Sequence, residues 1–92
     1  MDAGTVRDRL RAEGIDVTIR HDRTLVAWVL KPAEQEWGHA LSERVRALPG
    51  AVVVGPVREF PSFASPYLAR TEVRFVMGSA AMVGREALRG VA

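Results

Sequence analysis

The sequence predicts an α+β fold, a small four-stranded, mainly antiparallel sheet with helices on one face, and three observations predict it. Residues 16–20 and 70–77 alternate apolar with polar positions, the period of two that marks a half-buried strand. Trp37, Leu41, Val45 and Leu48 advance by four, four and three, which places them on one helical face. Turn chemistry at Gly14, His21-Asp22-Arg23, Pro49-Gly50 and Gly55-Pro56 separates these segments. The order is α-β-β-α-β-β, with residues 1–78 as a single domain and 79–92 as a C-terminal extension.

The first helix is expected over 5–13. Thr5 suits its N-cap, Asp8 the positive end of its dipole and Gly14 its stop, while Val6 and Leu10 form a narrow apolar stripe. Val17 and Ile19 then alternate with Thr18 and Arg20, and a polar turn leads into 25–30, LVAWVL. The two strands read as a hairpin whose second member is apolar on both faces, central in the sheet or covered by another copy.

The second helix is expected from Pro32 or Ala33, because proline is tolerated in a first turn and Glu34 and Glu36 favour the N-terminal dipole. Arg44 and Arg46 suit its C-terminal end and Pro49-Gly50 closes it. Residues 51–57, AVVVGPV, read as a strand interrupted at Gly55-Pro56, since proline belongs at an edge or a bulge. A loop with Phe60, Pro61, Phe63, Pro66 and Tyr67 precedes the last strand, where Val73, Phe75 and Met77 face inward against Glu72, Arg74 and Val76. The small residues and glycines after Gly78 suggest a weak helix or a tail.

A chain of 92 residues is one domain, and a short chain buries a small share of its surface, so association with other copies is the expected supplement to its core. With no cysteine, neither a disulfide nor a thiolate metal site reinforces it. No apolar run approaches the ~20 residues of a membrane span, and 1–14 lack the apolar stretch of a signal peptide, so a soluble protein is expected. The net charge is +2, but twelve of the thirteen basic residues are arginine and asparagine is absent. That bias points to a G+C-rich genome, and the eleven interspersed acids make the basicity weak evidence for nucleic acid.

Catalytic patterns are missing. His21 and His39 have no partner at metal-ligand spacing, no serine sits in a G-x-S-x-G elbow, and GSAAMVGRE matches neither phosphate-loop pattern. No cofactor, metal or enzymatic activity is expected. Aromatics and arginines interleave in one stretch, where Phe60, Phe63 and Tyr67 lie between Arg58 and Arg70, the composition of a base-stacking surface or of a packed contact.

Over 24–77 the chain resembles the tail terminator, or tail completion, proteins of long-tailed bacteriophages, especially those of actinobacterial hosts. The resemblance lies in the leading helix, LVAWVL, AEQEWGHALSERVRAL, ALPGAVVVGPV, the aromatic and proline-bearing loop, and RTEVRFVM. It implies a virion protein of the tail–neck region, present in the host cytoplasm during assembly. A homo-oligomeric ring, a hexamer, would cap the tail tube protein and join it to the head-completion protein around a DNA-conducting channel. On that reading Arg20, Arg70, Glu72 and Arg74 are expected as interface or channel charges, and Trp28, Phe60, Phe63 and Tyr67 as packing residues. A different class of function is a small dimeric ferredoxin-like regulator that binds a ligand or nucleic acid.

Overall fold

Val6 and Leu10 press the first helix, α1 (Ala3–Ala12), into the core. The computed structural model describes residues 2–77; the expected extension over 79–92 lies outside them. α1 starts two residues earlier than expected, because the Asp2 carboxylate accepts a hydrogen bond from Thr5 N at 2.8 Å and takes the N-cap role assigned to Thr5. Its end is a Schellman closure. Ile15 N donates to Leu10 O and Gly14 N to Arg11 O, each at 3.0 Å, with Gly14 at φ +83° and Ile15 buried.

β1 (Asp16–Ile19) and β2 (Leu25–Pro32) form the expected hairpin, in the register Asp16 to Trp28 and Ile19 to Leu25. In its turn Asp22 Oδ1 accepts from Thr24 N at 2.9 Å, and Arg23 takes φ +70°. β2 runs further than the sequence suggests. Pro32 pairs with Leu68 and Ala33 N donates to Tyr67 O at 2.8 Å, so the ladder holds the backbone where a helix was expected. The second helix, α2 (Gly38–Arg46), therefore starts five or six residues late, and Trp37 is its N-cap residue, 42% exposed, rather than part of its buried face. Leu41, Val45 and Leu48 are buried as expected.

The stretch 51–57 pairs only briefly, as β3 (Val52–Val53). Val54 N still reaches Arg74 O at 2.9 Å, then Gly55 at φ +86° lifts the chain off the ladder. It returns as β4 (Arg58–Pro61), which corrects the expectation of a loop there. Pro61 is tolerated because β4 pairs on one side only. A hairpin connects β4 to β5 (Leu68–Val76), whose burial alternates along its length. Among the described residues the sheet thus has five strands instead of four, in the order β1-β2-β5-β3 with β4 also on β5, and every pairing is antiparallel.

Both helices cover one face, α1 against β1 and α2 against β5, β3 and β2. Val6, Leu10, Leu41, Val45 and Leu48 meet Val17, Leu25, Ala27, Val29, Val73, Phe75 and Met77 there. The other face of the sheet has no helix on it among the described residues.

Candidate functional site

The helix-free face is built by three cross-strand rows. Residues directly opposite in an antiparallel ladder share a face, so the register writes the surface out. Across β1, β2, β5 and β4 one row reads Asp16, Trp28, Glu72, Arg58. On one side lie Leu30, Arg70 and Phe60, and on the other Thr18, Val26 and Arg74. Arg20 continues the Thr18 side just past β1, where its N–H donates to Thr24 O at 2.9 Å.

Trp28 is held at the centre. Its Nε1 donates to Thr18 Oγ1 at 3.2 Å, and the Arg70 guanidinium carbon stands 4.1 Å from the ring centroid. Arg70 Nε is 2.8 Å from Glu72 Oε1, an ion pair without hydrogen-bond alignment. At the β1 margin, the Arg11 Nε bond to Asp16 Oδ1 at 3.1 Å, aided by Val17 N, holds the Asp16 carboxyl below its ordinary range; the Arg70 charge adds to this.

Both acids of the face are therefore spent on other arginines. Arg20, Arg58 and Arg74, in contrast, have no carboxylate within 4.0 Å among the described residues. The Nε of Arg74 is buried without a hydrogen-bond partner among the described residues. The face is net positive, with three guanidinium groups uncommitted among the described residues around an aromatic centre.

Beside Arg70 the face opens into a hollow of about 480 Å³, rimmed by Trp28, Leu30, Phe60, Phe63, Arg70 and Glu72. Six of the expected site residues, Arg20, Trp28, Phe60, Arg70, Glu72 and Arg74, thus share this face. Phe63 and Tyr67 sit in the β4–β5 hairpin, exposed, with Phe63 at the rim and Tyr67 away from it. The sequence reading left out Asp16, Thr18 and Leu30, which only the register of β1 on β2 and β2 on β5 brings to the same surface.

The opposite face holds a buried charge. Lys31, the chain's one lysine, is 3% exposed and paired with Glu59 of β4, which is 47% exposed. Lys31 Nζ also donates to Ala33 O at 3.4 Å. Nearby, His39, Glu36, Gly38, Val57, Glu59 and Thr71 line a hollow of about 290 Å³, into which the unpartnered Thr71 hydroxyl is buried. His21 lies in the β1–β2 turn and His39 in the first turn of α2. No group of three His, Cys, Asp or Glu side chains among the described residues is arranged to hold a metal ion. No described helix is long and apolar enough to cross a membrane.

Fold and site together define an α+β domain with one helix-covered face and one basic, aromatic face left open. No protein-family model, curated protein or solved structure matches the chain.

Proposed function

We propose that the protein is a structural, non-catalytic virion subunit, a tail terminator or related head-to-tail connector. Six copies form a ring that caps the tail tube and joins it to the head-completion proteins, with DNA passing through the centre. Its place is the tail–neck region, and the host cytoplasm during assembly. The resemblance over 24–77 supplies this reading.

One structural observation supports it most. Among the described residues the sheet ends in two unlike unpaired edges, β1 on one side and β3 with β4 on the other. A ring needs a contact between two different surfaces of the same protomer, repeated by rotation until it closes. Unpaired edges are ready-made pairing surfaces. Exposed Ile19 on β1 and exposed Val54 and Val57 between β3 and β4 add apolar area to the opposing sides. The open face and its arginines are then free to look toward the channel, and Phe63 and Tyr67 toward a neighbouring protein.

Native mass spectrometry across concentration and salt, with and without tail tubes, tests this. Hexamers, or monomers that convert to rings on tubes, are the expected result. A stable dimer, or a monomer indifferent to tubes, overturns it.

A further inference from the structure

We propose that the helix-free face binds single-stranded nucleic acid, with Arg20, Arg58 and Arg74 on the phosphates and bases stacked at Phe60 and at the Arg70-covered Trp28. This rests on the face itself and not on the ring. Three features of that face converge on such a partner. Its two acids are already paired, Asp16 with Arg11 and Glu72 with Arg70, while three arginines are unpaired among the described residues. Uncompensated guanidinium groups call for an anion, and carboxylate and phosphate are the groups that arginine's planar fork fits.

The aromatics narrow the choice of anion. The Arg70 Cζ stands over Trp28 at 4.1 Å from the ring centroid, with the Arg70 side chain one-third exposed. The exposed part of its guanidinium offers a base a contact surface, and exposed Phe60 in the same row offers an aromatic one. The hollow between them, about 480 Å³, falls within the ~300–1,000 Å³ of small-ligand clefts. An acidic peptide would answer the arginines and leave this hollow unfilled. Duplex DNA would offer phosphates while keeping its bases in the stack. A single strand uses both features, and the pairing of a basic sheet face with aromatic side chains is how sequence-tolerant single-strand binding is built.

The sequence places Phe60 in a proline-marked loop. In the structure Pro61 sits at the margin of an edge strand, and Phe60 stands on the sheet.

The test is a fluorescence-anisotropy titration of a labelled fifteen-nucleotide oligo-dT, beside a duplex of the same length. Three phosphate contacts predict a log–log salt slope of about −2, and Arg58→Gln reduces its magnitude by about 0.7. Phe60→Ala weakens binding about tenfold. In a Trp37→Phe background Trp28 is the only tryptophan, and its emission is quenched on binding. Arg58 is exposed, so its slope change reads out even if Phe60→Ala were to misfold. The proposal is overturned if oligo-dT does not bind at about 50 mM salt, if the duplex binds as tightly, or if a folded Phe60→Ala binds unchanged.

Discussion

Arg70 and Trp28 are diagonal neighbours across the β2–β5 ladder, and the guanidinium of the first closes over the ring of the second at 4.1 Å. Thr18 holds the indole N–H from the other side, so Trp28 is ordered on a face that no helix among the described residues buries. An ordered aromatic on an open sheet gives that face a fixed shape. Replacing Arg70 by Ala removes the cover and the partner of Glu72. The expected cost is about 1 kcal/mol, the scale of a partly exposed cation–π contact. In the Trp37→Phe background, Trp28 emission shifts to the red and becomes more accessible to iodide. Arg70→Lys restores charge but not the planar stack, so the shift persists.

Lys31 and Glu59 give an asymmetric pair of variants. Lys31 is the buried member, and Glu59 is nearly half exposed. Removing the acid leaves an ammonium buried with only the Ala33 carbonyl, so Glu59→Ala should cost about 3 kcal/mol. Lys31→Met leaves a carboxylate that water solvates, and should cost less than about 1.5 kcal/mol. Glu59→Gln falls between. Urea unfolding of the three variants checks the order, and equal costs would contradict the assignment of the buried charge.

Gly38, the first residue of α2, sits where a side chain would be crowded. A Cβ there would stand 2.9 Å from Val57 Cγ1 and 2.9 Å from Glu36 Oε1, too close for either to remain in place. Glu36 is not free to move without loss, because its Oε1 accepts from Gly38 N at 2.7 Å. Alanine in a helix is intrinsically better than glycine by about 1 kcal/mol. Gly38→Ala should nevertheless destabilise, by about 1–2 kcal/mol, as overpacking does. Gly38→Ala with Val57→Ala should recover most of the loss in thermal unfolding.

Acid should weaken the fold through three aspartates. Backbone N–H bonds from Thr5 and Thr24 lower the carboxyls of Asp2 and Asp22, and the Arg11 side-chain bond leads in lowering that of Asp16, all from an ordinary value of 3.8. A carboxyl depressed in the folded state stabilises it fully above its unfolded value, and loses that contribution as pH falls through the folded value. Stability should therefore be flat above about pH 5 and decline below about pH 4. Asp16→Asn and Asp22→Asn lower the plateau and flatten the decline, which chemical denaturation at a series of pH values measures.

Much of the architecture was legible because local rules and burial agree. Val17, Val73, Phe75 and Met77 are buried where the alternation placed them, and Val6, Leu10, Leu41 and Val45 where helical spacing did. The start of α2 was not legible, because Pro32 is acceptable at a helix N-terminus and at a strand margin alike. Leu68 and Tyr67, some thirty-five residues further on, hold it in the strand. The two prolines of 60–67 hid β4 for a similar reason. Proline argues against a strand only where its missing N–H would be needed, and on an edge it is not.

The site followed the same division. Trp28, Arg70, Glu72 and Arg74 were expected at a contact or channel only through what the resemblance implies, and Phe60 also as part of an aromatic stretch. Asp16, Thr18 and the Lys31–Glu59 pair carried no local signal; the lone lysine among twelve arginines was the one hint.

By itself the sequence determined the α+β class, most of the apolar stripe of each helix and the inward face of β5, because these depend on periodicity within a few residues. Tertiary structure alone decided which arginines are neutralised, which face remains open and where β2 gives way to α2. Those outcomes depend on register between strands distant in the chain, and a shift of one residue in that register would send every side chain of a strand to the other face.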